Sequence, residues 1–215
     1  MVFQQHYHSP EQAPRHQALR ECADVTMETA TLSRRNCWSV DGITMNRCTA
    51  QSEYFMMRSR VLHFTDVTFQ GKYSFQYIED AVFDNCRFDT KDAFWHAKNV
   101  VVKNSVVKGE YLAWYCENVT FENCKIIGTQ PLCYCKGLRL INCRMDEADL
   151  AFEKSEVQAE LTAPLISIKN PYQAGFRFLR WGKSSGMTLP PRRKSAFRAR
   201  GQQLRMTRNR KRRTP

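Results

Sequence analysis

Apolar and polar residues alternate over short stretches of this chain, and the stretches return at a fixed spacing. Asn99-Val-Val-Val-Lys-Asn-Ser105, Asn118-Val-Thr-Phe-Glu-Asn-Cys124 and Gly137-Leu-Arg-Leu-Ile-Asn-Cys143 share one pattern. Val100 and Val102, Val119 and Phe121, and Leu138 and Leu140 fill the same two slots of it. A period of two is that of a strand with one face buried. A bend with Asn follows, then a second strand turning Cys124 and Ile126, or Cys143 and Met145, inward. Gly71, Gly109 and Gly128 mark the next turn. A third apolar stretch closes the unit: Phe75, Phe94-Trp95, Leu112-Ala-Trp114, Leu132-Cys133 and Leu150-Ala-Phe152.

The register is strict. Asn85-Cys86, Asn104-Ser105, Asn123-Cys124 and Asn142-Cys143 hold a spacing of 19 without insertion, and Arg47-Cys48 and Asp66-Val67 continue it upstream. A fixed period of this size predicts stacked coils. Seven coils of this length fit between Ala23 and Ser155, starting at Ala23, Gly42, Val61, Asp80, Asn99, Asn118 and Gly137. Three short strands per coil and no long helical periodicity predict an all-β protein, a right-handed parallel β-helix. At ~4.8 Å per coil, seven coils make a rod roughly 34 Å long. A left-handed helix is built on hexapeptides, and two-helix repeats need ~34 residues or more. The Asn column reads as structural, because Asn tolerates the left-handed conformation at a bend and stacks into amide ladders. The expected layout is an irregular segment over 1–22, the β-helix over 23–160, an exit segment over 161–172 and a disordered basic tail over 173–215.

Charge is distributed unevenly. The segment 173–215 holds 14 of the 33 Lys and Arg and none of the 21 Asp and Glu; the rest of the chain carries 19 basic and 21 acidic side chains. The tail, ending Arg208-Asn-Arg-Lys-Arg-Arg213, would bind nucleic acid without sequence preference. Its few aromatics argue against base stacking. Met1 to Arg20 has no apolar core of the signal-peptide type, and no run reaches the ~18 apolar residues of a membrane span. A cytoplasmic protein with no membrane partner is expected.

Nine cysteines stand in the chain, several in repeat slots, so they read as small buried hydrophobes kept reduced. Cys116 and Cys135 are stacked neighbours, and Cys133-x-Cys135 is too close for a zinc half-site. His6 and His8 form only a loose pair. No metal or cofactor is expected. Uncapped solenoid ends would favour self-association.

Function is sought on the third stretch, where both faces are apolar or aromatic. Met57, Trp95, Trp114, Cys133 and Phe152 are assigned inward, with Phe75, Phe94 and Leu132 on the opposite face. Two columns flank them: Tyr54, Tyr73, Asp92, Tyr111, Gln130, Asp149 and Arg58, Tyr77, His96, Tyr115, Tyr134, Glu153. The preceding turn adds Glu53, Lys72, Lys91 and Glu110. Aromatics among Lys, His and carboxylates suit sugar rings. Tyr73, Tyr77, Tyr111, Tyr115, Tyr134 and Lys72 are the expected ligand-binding residues. A polysaccharide lyase or hydrolase would need a base and an acid at one bond, for which Asp92, His96, Glu110 and Lys91 are candidates. The third alternative is a non-catalytic scaffold packed against a protein partner.

Gly71-Lys-Tyr-Ser-Phe-Gln-Tyr77, Thr90-Lys-Asp-Ala-Phe-Trp-His96, Lys108-Gly-Glu-Tyr-Leu-Ala-Trp-Tyr115, Ile127-Gly-Thr-Gln-Pro-Leu-Cys-Tyr134, Asp149-Leu-Ala-Phe-Glu153 and Ser167-Ile-Lys-Asn-Pro171 resemble the bacterial family called domain of unknown function 3737. The resemblance runs from about Ala18 to Pro171. It implies a pectate-lyase-like β-helix and no particular reaction. The family closes with a strand of the type Gly-Glu-Val-Ile-x-Asp-Asp. Trp181-Gly-Lys-Ser-Ser-Gly-Met-Thr188 permits that strand in another reading frame, so the tail is expected to be an out-of-frame translation.

Overall fold

The computed structural model describes residues 6–7, 19–33 and 37–179. Sixteen strands follow in chain order. They are β1 (His6–Tyr7), β2 (Ala23–Glu28), β3 (Thr31–Ser33), β4 (Asp41–Asn46), β5 (Thr49–Glu53), β6 (Arg60–Thr65), β7 (Thr68–Lys72) and β8 (Glu79–Asp84). There follow β9 (Arg87–Lys91), β10 (Lys98–Lys103), β11 (Val106–Lys108), β12 (Glu117–Glu122), β13 (Lys125–Ile127), β14 (Leu138–Asp146), β15 (Glu156–Leu161) and β16 (Gln173–Phe178). No helix occurs among the described residues, so none is long and apolar enough to cross a membrane.

The strands wind into a parallel β-solenoid of about eight turns. One side carries β1-β2-β4-β6-β8-β10-β12-β14-β15-β16, the second β3-β5-β7-β9-β11-β13, and long β14 bends to serve both. The expected register holds in the middle, where Val100 pairs with Val119 and Val107 with Ile126, one full period on. It departs at both ends. Val25 pairs with Ile43 and Leu32 with Ala50, so the first coil falls one position short of the period. Trp38 pairs with Met57, which places the missing residue between Ser33 and Trp38. At the other end Val157 pairs with Ala174, two positions short.

That last pairing corrects the tail boundary. Composition alone assigned 173–178 to a tail, but these residues form β16, and Arg177 pairs with Glu160 at 3.2 Å. The rest of the basic tail, residues 180–215, and the out-of-frame segment lie outside the described residues, as does His8. Within the segment read as irregular, His6–Tyr7 pairs with β2 as a short parallel strand.

Side chains from the strands meet in one continuous core. Seven phenylalanines crowd its middle coils: Phe55, Phe64, Phe69, Phe75, Phe83, Phe88 and Phe94, with ring centroids 5.0–6.4 Å apart. The cysteine slots behave as small apolar positions. Cys86, Cys124 and Cys143 donate to the carbonyls of Phe64, Val102 and Phe121 in the coil before, at 3.7, 3.3 and 3.3 Å. Burial pushes the Cys86 thiol up to about 11.

The bend column also behaves as its residue type requires. Asn85, Asn104, Asn123 and Asn142 have φ of 51, 49, 52 and 50°. Asn142 donates to Asn123 at 2.8 Å and Asn123 to Asn104 at 3.3 Å. A second ladder runs parallel to it, Asn118 to Asn99 to Asp80, at 2.9 Å for each bond.

The third stretch is not a strand. Every second residue is left-handed: Tyr73, Phe75 and Tyr77 have φ of 56, 59 and 57°, and Asp92, Phe94 and His96 of 52, 62 and 56°. The coils still join through their backbones. Tyr73 and Tyr77 N–H donate forward to Lys91 and Trp95 at 2.8 Å, and Phe75 N–H donates backward to Phe55 at 2.7 Å. Strict in-and-out alternation belongs to extended backbone. Here neighbours point inward together: Ser74 with Phe75, Ala93 with Phe94, Leu112 with Ala113, Leu132 with Cys133. The expected sides therefore change. Phe75, Phe94 and Leu132 are the core residues, whereas Met57, Trp95 and Trp114 are only half-buried.

Candidate functional site

The left-handed backbone sets four columns of side chains along the third side, each repeating once per coil. The outermost starts at Arg58. Tyr77 and His96 stack at 4.8 Å and 7°, His96 and Tyr115 at 5.0 Å and 9°, Tyr115 and Tyr134 at 4.8 Å and 12°. The Arg58 guanidinium lies 6.0 Å from the Tyr77 ring centre at one end. At the other, the Tyr134 hydroxyl donates to Glu153 at 3.1 Å, and Lys169 pairs with Glu153 at 3.2 Å. The Lys169 hydrogen bond, helped by the tyrosine, holds the Glu153 carboxyl below the usual carboxylate range.

Beside it runs the column Gln76, Trp95, Trp114. Each side chain donates to a backbone carbonyl of the next coil: Gln76 to Asp92 at 2.8 Å, Trp95 to Tyr111 at 2.7 Å, Trp114 to Gln130 at 2.7 Å. Trp95 and Trp114 stack at 5.4 Å and 5°. The sequence reading missed this role by placing the indoles inside. The signal was present, since Gln76, Trp95 and Trp114 are all N–H donors in one slot.

The column of Tyr54, Tyr73, Asp92 and Tyr111 follows, and then the turn residues. Tyr54 and Tyr73 stack at 5.1 Å and 20°. Lys72 pairs with Glu53, and Lys91 with Glu110, each at 2.9 Å. These pairs raise both lysines, through the hydrogen bond first, and leave them cationic. A groove of about 740 Å³ opens beside them, lined by Gln51, Glu53, Tyr54, Gln70, Lys72 and Asp89. Its amides Gln51 and Gln70 are register partners one coil apart.

The candidates for acid and base work do not converge as one unit. Lys91 and Glu110 neutralise each other at 2.9 Å. His96 is held by rings on both faces. Asp92 N–H donates to the Glu110 carbonyl, but no side-chain hydrogen bond joins Asp92 to His96 among the described residues. Among them, too, no cluster of His, Cys, Asp and Glu has a metal-site arrangement.

Asp92 is nevertheless unusual. It is 9% exposed, and desolvation raises its carboxyl above the usual range against the pull of Lys91, with Glu110 adding to the rise. A raised native pKa means that the folded chain binds the proton more tightly than the unfolded one, so stability is lost as pH rises through the carboxylate range. Asp92→Asn is therefore expected to melt higher than the parent at pH ~7. The gain should vanish at about pH 3, below the ordinary Asp value of ~3.9. Thermal melts of both proteins across that range check it, and a gain that persists at acid pH would point to another cause.

Residues 8–181 match the model of the family described as "Protein of unknown function (DUF3737)". Comparison with curated proteins finds no match.

Proposed function

Since the chain belongs to the DUF3737 family, whose description names no reaction, its function must be read from the third side, and we propose that this side is a non-catalytic binding face for an extended, glycan-like ligand. The observation that carries the reading is the row of ring edges. Tyr77, His96, Tyr115 and Tyr134 recur at 4.8–5.0 Å, and Tyr77 and Tyr115 remain 47% and 43% exposed. With ring faces covered by neighbours, what meets solvent is hydroxyl, imidazole nitrogen and ring edge. These groups donate and accept hydrogen bonds at a fixed spacing, which suits a polymer of repeating hydroxyls. Lys72, Lys91, Glu53 and Glu110 extend the polar row. The lyase or hydrolase reading has less support, because the ion pairing of Lys91 with Glu110 leaves neither as a free acid or base.

A purified sample on an array of neutral, amino and acidic oligosaccharides tests the reading. Binding is expected, and Tyr77→Ala with Tyr115→Ala should weaken it at least tenfold, since two hydrogen-bonding groups at about 1 kcal/mol each are lost. The rival reading is a scaffold, favoured by the same stacking, because rings that cover each other brace the coils. An array without any binding, together with a lower melting point for Tyr115→Ala, would support the scaffold instead.

A further inference from the structure

The groove of about 740 Å³ at the corner of the second and third sides has no part in the ring row. One slot of the second side runs through it. Gln51, Gln70, Asp89 and Lys108 follow one another in that slot, each the register partner of the next. Asp89 takes the Lys108 Nζ at 3.2 Å, so an ion pair closes this part of the slot. Gln51 and Gln70 are treated differently. Stacked amides at the bends bond to each other, Asn142 to Asn123 at 2.8 Å and Asn118 to Asn99 at 2.9 Å. Gln51 and Gln70 are also stacked one coil apart, yet no side-chain hydrogen bond joins them or ties either elsewhere among the described residues. Both are exposed, and both line the groove.

The rest of the lining narrows the choice of ligand. Lys72 pairs with Glu53 at 2.9 Å, so both cations beside the groove, Lys72 and Lys108, are held by carboxylates. Tyr54 stacks on Tyr73 at 5.1 Å and 20° and meets Trp38 at 6.3 Å and 74°. It therefore gives the groove a ring edge rather than an open face. Gly71 contributes backbone alone, because a Cβ there would stand 1.8 Å from the Ser52 carbonyl oxygen. What the groove offers is two free carboxamides between neutralised ion pairs. Its volume lies within the ~300–1,000 Å³ of small-ligand sites.

We propose that this groove is a subsite for an uncharged acetamido sugar, held by the carboxamides of Gln51 and Gln70. The proposal rests on the glycan-binding reading and names the sugar class taken at one edge of that face. A carboxamide carries a donor and an acceptor on separate atoms, and an acetamido group presents the complementary pair. Its N–H donates to one glutamine oxygen, and its carbonyl accepts from the other glutamine's nitrogen. A uronate would meet Glu53 and Asp89 with no free cation to receive it. A protonated amino sugar would have to compete with Lys72 and Lys108 for their carboxylates. An extended peptide gains most at an open strand edge. The groove lies instead on the outward face of β5, β7 and β9, whose edges are already paired with one another.

Calorimetric titration of the full chain with hexamers of N-acetylglucosamine, glucosamine and glucose tests it. The acetylated hexamer should bind most tightly, and Gln51→Ala with Gln70→Ala should weaken it about tenfold or more, since two hydrogen-bonding groups are lost. The glucose hexamer should be little affected by the same change. Exposed positions tolerate substitution. Circular dichroism identifies a variant that fails to fold, and Gln70→Glu, which keeps the shape but loses the N–H donors, then carries the comparison. Binding of sugars without preference for the acetylated hexamer would overturn the subsite and leave the binding face standing. So would a preference that survives the glutamine changes but is lost in Tyr77→Ala with Tyr115→Ala. Tighter binding of a hexapeptide of alternating Asn and Ser than of any sugar would overturn the ligand class. Failure of the folded parent to bind any hexamer would overturn the subsite, and the face itself falls if the wider array is also blank.

Discussion

Phe75→Ala is expected to cost about 3–5 kcal/mol of folding stability, the range for truncating a buried aromatic ring. Native domains hold only ~5–15 kcal/mol in all, so this one change should remove a large part of it. Phe75 is fully buried and its ring meets six others. Phe94 stacks on it at 5.0 Å and 11°, and Phe88, Phe69, Phe83, Phe55 and Phe64 close around it at 5.2–6.1 Å. These rings come from three consecutive coils and all three sides of the solenoid, so the cavity cannot be filled by shifting one strand. In a stack where each coil touches only its neighbours, damage spreads from its source. Hydrogen exchange in Phe75→Ala should therefore accelerate first in β6 to β9, and denaturant unfolding should give the loss. Phe75→Leu, which keeps most of the volume, should cost clearly less. Equal losses would mean that the packing of the rings matters little.

The fold was legible because stacking depends on register rather than on detailed conformation. Residues one period apart become neighbours however each coil bends, so the columns Tyr77, His96, Tyr115, Tyr134 and Asn104, Asn123, Asn142 could be read directly. Strand faces were legible where the backbone is extended, as with Val100 and Val102. The ends were not. The first coil's missing residue lies between Ser33 and Trp38, away from the strands that set the register. Strand β16 hides in an acid-free segment, because pairing with β15 needs backbone groups and not a particular charge.

The site was half legible for the same reason. Register brought Tyr73, Asp92, Tyr111, Lys91 and Glu110 into neighbouring coils, as expected. Inside and outside were assigned by a period of two, and alternating left-handed residues break that period. Trp95 and Trp114 thus moved from the core to a half-buried donor column, and Phe75 and Phe94 took the core. Ring direction was invisible as well. Interleaved aromatics suggested open faces for sugars, but stacking at 4.8–5.0 Å uses those faces up everywhere along the outer column. Asp92 was singled out for acid and base chemistry, whereas its distinguishing property is its low exposure, which raises its carboxyl above the usual range.

Gly109→Ala should be the most damaging conservative change on the third side, with a loss of more than about 3 kcal/mol, at the upper end for single substitutions. A Cβ on Gly109 would stand 1.8 Å from the Thr90 carbonyl oxygen, and the residue has φ +154°. Both objections concern backbone, so no rotamer change relieves them. The same closeness recurs one coil on, where a Cβ on Gly128 would lie 2.0 Å from the Gly109 oxygen. The chain turns here from the second side into the left-handed stretch, so displacing Gly109 would also displace Tyr111 and Lys91. Gly137 supplies the comparison. Its φ is +64°, but a Cβ there would meet Asn118 backbone only at 3.6 Å. Gly137→Ala should thus cost only the ~1–2 kcal/mol of a left-handed alanine. Denaturant titration of the two variants separates the contributions: conformation alone acts at Gly137, conformation and overlap together at Gly109. If both lose the same amount, the close approach of the coils at Gly109 is not what makes glycine necessary there.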